Sequence, residues 1–304
     1  MILHKTSGRT GLGLALATTT MLAWATLPIA LSAMLRDLDP PTLIWFRFLA
    51  ASVVLGAILG SRSSLPKLSL LGPKSWMLLV SAALCMAANY LLFLIGLELT
   101  TPANTQIVMQ ACPLMFSLGA IVIYGERFNR RQWVGFFVLI GGLAVFCSDQ
   151  LLAFVEESNR YLLGYAAVLA AALTWSISSL IQKRLLTIFR SQTLLLCLYV
   201  GCTLCFTPLA HPDRIAALSG WAIPLLLYCA LNTLVAYGAF SAALENVEAS
   251  RVGAVIALSP VATFGFIELT HQFFPGVLPP EQFSPWMLLG AATVVLGSVI
   301  TARG

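Results

Sequence analysis

The chain has 304 residues, of which 59% are hydrophobic and only 10% are charged, and its mean hydropathy is +0.90. Soluble globular proteins carry about 25% charged residues, so this composition excludes an ordinary soluble domain and indicates an integral membrane protein. The net charge of +5 does not indicate nucleic-acid binding, because the basic residues form short clusters between apolar runs.

The first apolar run, residues 11–35, follows Lys5 and Arg9. It is too long for the apolar core of a signal peptide, roughly 7–15 residues, so we predict a retained first membrane span. A helix crosses a hydrocarbon core of roughly 30 Å with about 20 residues and satisfies its own backbone hydrogen bonds. By this criterion the sequence predicts an all-α integral membrane protein with ten transmembrane helices, at approximately 11–35, 41–60, 74–97, 102–124, 131–147, 162–184, 191–210, 219–243, 249–271 and 285–302.

The distribution of Lys and Arg predicts the orientation of these helices, because cytoplasmic loops carry an excess of both residues. With the N-terminus inside, thirteen basic residues fall in inside segments, and Arg47 lies within a helix. The outside loops then hold only Arg36, Arg160 and Arg214. The sequence therefore predicts that both termini face the cytoplasm.

The two halves of the chain resemble each other. Trp24 ends "GLALATTTMLAW", and Trp175 ends "GYAAVLAAALTW" 151 residues later; Pro113 and Pro260 correspond at an offset of 147. The sequence thus predicts two five-helix repeats, residues 11–147 and 162–302. Because five is odd, the second repeat enters the membrane from the opposite side, an arrangement typical of secondary transporters with a site near the midplane.

Two glycine pairs occupy equivalent positions in the repeats, Gly135 with Gly142 and Gly290 with Gly297. The members of each pair are seven residues apart and so share one helix face. Small residues allow membrane helices to approach closely, so we predict a packing role for these glycines and no ligand role.

Characteristic segments occur in both halves, among them "FRFLAA", "GLELTTPANTQIVMQACPLMFSLGAIVIYGERFNRRQWVGFFVLIGGLAVF" and "WMLLGAATVVLGSVI". These segments resemble the EamA repeats of the drug/metabolite transporter superfamily, and the resemblance covers nearly the whole chain. The second half departs from the pattern, because "HQFFPGVLPPEQFSP" stands where a counterpart of Gly125 and Glu126 would fall. The resemblance implies an exporter-type permease of a prokaryotic cytoplasmic (inner) membrane that moves amino acids, other metabolites or drugs.

Arg47 lies about six residues into the second predicted helix, roughly 9 Å deep at 1.5 Å per residue. Its side chain could snorkel to the outer headgroups, or it could face a central cavity. In the cavity it would bind a substrate carboxylate or pair with an acid such as Glu98 or Glu268. Leu198 holds the matching position of the second repeat, so the charge belongs to one half and we favour a one-sided contact.

Glu98 and Glu268 are the acids nearest the interiors of the predicted helices, both toward the outer ends. Either could carry a coupling proton across the membrane. We favour the alternative, an ion pair with Arg47 or a cap on an outer loop.

The tryptophans fall into two groups. Five lie near helix ends, as is typical of interfacial anchors, whereas Trp24 and Trp175 lie in the middle of their helices at equivalent repeat positions. These two either pack against neighbouring helices or line a cavity between the repeats. Pro28, four residues after Trp24, predicts a bend in the first helix.

Further polar side chains fall within predicted helices, where they either line a cavity or form helix–helix hydrogen bonds. Gln106 and Gln110 lie one turn apart on the fourth predicted helix, as Trp175 and Ser179 do on the sixth. The predicted substrate-binding set is Trp24, Arg47, Asn89, Tyr90, Gln106, Gln110, Trp175 and Ser179, and Asn232 is a further polar group at depth.

The seven cysteines all fall in or at the ends of apolar runs. Cys202 and Cys205 form a CxxC motif, but no histidine or acid lies nearby, so neutral thiols are favoured over a metal site or disulfides. No cofactor is expected.

The sequence favours a secondary transporter that works by alternating access around a central cavity. Primary active transport is disfavoured because no Walker A motif occurs, and an intramembrane enzyme is disfavoured because neither HExxH nor GxSxG occurs. A channel or receptor remains an alternative. The expected partners are a small-molecule substrate and the lipid bilayer, and not nucleic acid.

Overall fold

The protein is helical throughout the part that the computed structural model describes, residues 9–63, 65–66, 71–125, 129–153, 160–247, 249–278 and 284–302. A short 3-10 turn follows α8 at Thr207–Leu209, and no strand occurs in these residues. The helices are α1 (Thr10–Met34), α2 (Pro40–Ser61), α3 (Pro73–Leu99), α4 (Pro102–Val108), α5 (Ala111–Tyr124), α6 (Arg130–Ala153), α7 (Arg160–Leu185), α8 (Ser191–Phe206), α9 (Pro212–Ala216), α10 (Ala222–Asn246), α11 (Ala249–Ile256), α12 (Ser259–Phe273) and α13 (Pro285–Ala302).

Seven helical stretches of the described residues are long and apolar enough to cross a membrane. They correspond to predicted helices one to three and six to nine. The stretches are Thr10–Met34, Pro40–Ser61, Pro73–Leu99, Arg160–Leu185, Ser191–Leu209, Ala222–Ala243 and Arg251–Phe273.

The fourth and ninth predicted helices are not continuous. The fourth is divided into α4 and α5 at Met109 and Gln110, and the ninth into α11 and α12 at Ala257 and Leu258. The structure thus corrects the prediction of one unbroken helix at each place. Proline provides the physical reason, because it lacks the N–H that would continue the helical ladder and disfavours a helical residue before it.

At the second break, a side-chain hydroxyl replaces the backbone hydrogen bond that proline removes. Pro260 stands in the first turn of α12, so the carbonyl of Ile256 receives no helical hydrogen bond from it. The Ser259 hydroxyl donates to this carbonyl instead, at 2.6 Å. Thr263, one turn further along α12, donates to the carbonyl of Ala25 on α1 at 2.9 Å and ties the half-helix to the bundle.

The helices pack in a regular pattern. α6 lies along α13, α3 along α7, α1 along α10, and α2 along α8, while α5 packs on α7 and α12 packs on α1. Each of these contacts has a counterpart when α1, α2, α3, α5 and α6 are exchanged with α7, α8, α10, α12 and α13. The largest apolar cluster is formed mainly by α2, α3, α8 and α10, with Phe48, Leu94 and Leu198 buried in it.

The predicted glycine packing is confirmed between α6 and α13. A Cβ on Gly142 would lie 2.6 Å from the backbone nitrogen of Val294, and a Cβ on Gly290 would lie 2.4 Å from that of Phe146. Such distances leave no room for any side chain, because the obstructing atoms belong to the opposing backbone and cannot rotate away.

Gly142→Ala should therefore destabilise the protein, whereas Gly141→Ala at the adjacent position should not. Forcing a methyl group between two packed backbones costs about 1–3 kcal/mol, but a Cβ on Gly141 would meet no atom within 4 Å. The measurement is the thermal unfolding midpoint of both purified variants in detergent. Equal midpoints for the two variants would contradict the close approach of α6 and α13.

Candidate functional site

Arg47 is buried in the centre of the helix bundle, with 2% of its surface exposed. Its Nε donates to the backbone carbonyl of Cys229 at 3.3 Å, and its Nη2 donates to the Thr233 hydroxyl at 3.1 Å. Thr233 in turn donates to the same Cys229 carbonyl at 3.2 Å. The guanidinium carbon lies 5.4 Å from the centre of the Tyr90 ring. The side chain is thus held between α3 and α10 and does not extend toward the headgroups.

The partners of Arg47 in the described chain are neutral. Arginine is permanently protonated and has five N–H donors, and the two hydrogen bonds to α10 use two of them. A carbonyl, a hydroxyl and an aromatic face satisfy part of the guanidinium without neutralising its charge. A full positive charge is therefore buried in the bundle beside acceptors that carry only partial negative charge.

The structure does not bring the predicted acids to Arg47. Glu98 and Glu268 are both exposed, in the C-terminal halves of α3 and α12. The backbone carbonyl of Glu98 accepts from Arg160 of α7 at 3.0 Å, and the Glu268 carboxylate accepts from Gln272 one turn along α12 at 3.4 Å. Neither contact involves Arg47.

An aromatic cluster surrounds Tyr90. Its ring meets Phe48 edge-on, with ring centres 4.6 Å apart, and its hydroxyl donates to the Tyr237 hydroxyl at 3.2 Å. Trp24 packs on Tyr237 at 5.8 Å, and the Trp175 side chain reaches the same hydroxyl. The two mid-helix tryptophans of the repeats therefore converge on one tyrosine.

A cavity of about 150 Å³ ends at this cluster. Tyr199 and Tyr237 line it, and so do Gln192 near the start of α8 and Ser241 in the last turns of α10. Its remaining lining residues are Leu55, Leu195, Leu234, Gly238 and Ala242. The aromatic cluster thus contacts both the cavity, through Tyr199 and Tyr237, and Arg47, through Tyr90. A larger surface groove at the opposite end, lined by Asp37 and Arg214 among others, contains none of the predicted site residues.

The remaining predicted residues are spread over the bundle. Asn89 is buried and donates from Nδ2 to the carbonyl of Ala171 at 2.8 Å, which ties α3 to α7. Ser179 is half-buried on α7. Gln110 lies in the break after α4, where its side chain accepts from Ser298 at 3.4 Å, while Gln106 is half-buried on α4 itself. The predicted stripe of Gln106 and Gln110 on one continuous helix is therefore wrong.

Sequence reasoning missed three residues of the site, namely Tyr199, Thr233 and Tyr237. Tyr237 carries a usable signal, because it follows Tyr90 by 147 residues, the offset that separates Pro113 from Pro260. Thr233 carries no such signal, since a threonine in an apolar helix usually bonds to its own backbone.

These features define the class of protein: a helical membrane protein of many spans, with broken helices and a polar site inside the bundle, which is the architecture of secondary transporters. The model of the EamA-like transporter family matches residues 11–148 and 162–303. The chain belongs to this family, as its resemblance to the EamA repeats implies.

Relatives agree with this assignment. The chain is 35% identical over 295 residues to "Uncharacterized inner membrane transporter YhbE" of Escherichia coli strain K12, covering 97% of this chain and 92% of that protein. It is 33% identical over 293 residues to an "Uncharacterized transporter" of Haemophilus influenzae, covering 96% and 95%. It is 23% identical over 230 residues to a "Probable amino-acid metabolite efflux pump" of Escherichia coli strain K12, covering 71% and 73%.

A solved crystal structure shares the fold, with a TM-score of 0.65 at 18% identity over 96% of this chain and 97% of the other. Together with the apolar helices, the family and its members identify the chain as an integral transporter of the inner membrane and not as an enzyme.

Proposed function

We propose that this transporter exports small carboxylate-bearing metabolites, amino acids among them, by alternating access around the Arg47 site. The observation that carries the proposal is the buried guanidinium, which has neutral partners and two hydrogen bonds. A charge in the membrane is costly, and charged residues inside helix bundles mark substrate pathways. A substrate carboxylate would supply the missing negative charge.

The proposed architecture has ten membrane crossings, as two inverted five-helix repeats with both termini in the cytoplasm. Eight crossings are α1, α2, α3, α6, α7, α8, α10 and α13, and the other two are the broken pairs α4–α5 and α11–α12. The paired helix contacts and the equivalent positions of the two breaks support this repeat. The excess of basic residues at one end supports the orientation.

The described contacts support an inward-facing state. Two residues of the cavity lining, Gln192 and Ser241, lie at the end that the basic residues assign to the cytoplasm, and we place the mouth of the cavity there. At the opposite end, Arg214 forms an ion pair with Asp39 at 3.2 Å, and the Thr42 hydroxyl accepts from the backbone of His211 at 2.9 Å. Substrate would enter the cavity from the cytoplasm and pass the aromatic cluster to reach Arg47.

Reconstituted transport tests the proposal. Purified protein in liposomes should carry amino acids or organic acids in a saturable manner. Cationic drugs, assayed in parallel, should not be carried because Arg47 repels them. Transport of cationic drugs without any carboxylate transport would refute the substrate class.

A further inference from the structure

Asn232 on α10 leaves one buried polar atom without a partner. The residue is 4% exposed, and its Nδ2 donates to the carbonyl of Ala23 at 2.8 Å and to the Tyr228 hydroxyl at 3.1 Å. These two bonds use both amide hydrogens, so the orientation of the amide is fixed. Its Oδ1 is buried and accepts no hydrogen bond from the described chain.

The surroundings of Asn232 are rich in acceptors. The Tyr228 hydroxyl is already hydrogen-bonded to the Thr26 hydroxyl, which also contacts the carbonyls of Leu22 and Ala23. Pro28 has no N–H and leaves the carbonyl of Trp24, four residues earlier, without its helical donor. A group that fits here must donate hydrogen bonds, and a positive charge would suit the many oxygen atoms.

Asn232 lies beside the residue that holds Arg47. Cys229, Asn232, Thr233 and Tyr237 follow one another at helical spacing and share one face of α10. Thr233 meets Arg47 of α2, while Asn232 meets α1. Adjacent residues of α10 thus hold a cationic donor, through Thr233, and carry an acceptor without a partner, in Asn232.

We propose that Asn232 Oδ1 accepts a hydrogen bond from the α-ammonium group of an amino acid whose carboxylate is bound by Arg47. The inference rests on the proposed function and narrows it, because carboxylate binding alone requires only Arg47. The ammonium group of an amino acid would donate to the free amide oxygen, and its carboxylate would neutralise the buried guanidinium. An acid without the amino group would leave Oδ1 unpaired, and so the site discriminates against it.

The test compares the twenty L-amino acids, each with the carboxylic acid that lacks its amino group, such as L-leucine with 4-methylpentanoate. The readout is inhibition of uptake in proteoliposomes, supported by ligand-induced thermal stabilisation of the purified protein. The wild type should prefer the best amino acid to its partner acid by about tenfold or more, the selectivity of a hydrogen bond to a charged group. Asn232→Leu should reduce this preference to about twofold or less while acid binding persists.

Two further variants separate recognition from packing. Asn232→Asp keeps an acceptor oxygen and should keep the preference for the amino acid. Asn89→Leu is the matched control, because Asn89 is equally buried and also ties two helices through Nδ2, to the carbonyl of Ala171. Asn89→Leu should change the binding of an amino acid and the binding of its partner acid by the same factor.

The outcomes are distinguishable. If the wild type binds acids with and without the amino group equally, the role of Asn232 is refuted while carboxylate transport stands. If no carboxylate binds at all, the proposed function fails and this inference fails with it. An unchanged preference in Asn232→Leu also refutes the role, and the wild-type comparison is decisive even where that variant does not fold.

Discussion

Replacing Arg47 with methionine should lower carboxylate transport by about tenfold to a hundredfold, the loss expected when a hydrogen-bonded charge is removed from a binding site. Methionine has a similar length and an apolar side chain that suits the surrounding bundle. Arg47 holds its position through a carbonyl, a hydroxyl and the Tyr90 ring. The variant should therefore fold normally, because it removes a buried charge that the protein itself does not neutralise.

The Arg47→Lys variant should bind and transport carboxylates less well than the wild type but better than Arg47→Met. It keeps the positive charge but is a point donor, so it cannot bind a carboxylate with two parallel N–H bonds as arginine does. The measurement is the KM and maximal rate of uptake in proteoliposomes for wild type, Arg47→Lys and Arg47→Met. The affinity should fall in that order while the amount of inserted protein stays constant.

Glu98→Gln and Glu268→Gln provide charge-changing controls. Neither acid contacts Arg47, and both are exposed, so transport by these variants should stay close to that of the wild type. If Arg47→Met instead unfolds the protein, or if it folds and leaves carboxylate uptake unchanged, Arg47 has a structural role and the proposed site is wrong.

Arg47 also illustrates what a membrane sequence does and does not predict. Its depth follows from counting residues along a helix, and the predicted interior position agrees with its burial. Its neighbours depend on how α2 is rotated against α3 and α10, and periodicity contains no information about that rotation. For this reason Glu98 and Glu268 were sensible partners by depth, yet the structure places Cys229 and Thr233 there instead.

The helix breaks were predictable in principle. Hydropathy is summed over windows of about 20 residues, so it joins α4 to α5 and α11 to α12 into single apolar runs. Pro113 and Pro260 occur at equivalent positions of the repeats. Because proline is tolerated in the first turn of a helix and not in its interior, each marks the start of a new helix.

The aromatic cluster can be predicted from the sequence repeat, but not from any single helix. Trp24 and Trp175 could be paired through their offset, and the same reasoning applied to Tyr90 would have found Tyr237. Tyr199 carries the same kind of signal, because it corresponds to Phe48 at the offset of 151 that pairs Trp24 with Trp175, and the centres of these two rings lie 5.6 Å apart.

Tryptophan at position 238 should abolish transport without unfolding the protein. Gly238 lines the cavity of about 150 Å³ below Tyr199 and Tyr237, and a Cβ added there would meet no atom within 4 Å. The indole would therefore extend into the cavity that joins Gln192 and Ser241 to the aromatic cluster. Uptake should fall to the level of empty liposomes.

Gly265→Trp is the matched control for this obstruction. Gly265 is also a helical glycine with no atom within 4 Å of an added Cβ, but it lies on an exposed face of α12, away from the cavity. Both variants should insert and unfold at temperatures close to that of the wild type, and Gly265→Trp should transport normally.

Normal transport by Gly238→Trp would show that substrate does not pass Tyr199 and Tyr237, and the access route to Arg47 would then lie elsewhere between the repeats. Equal loss in both variants would indicate a general effect of tryptophan on helix packing, so the difference between the two fluxes is the quantity that locates the pathway.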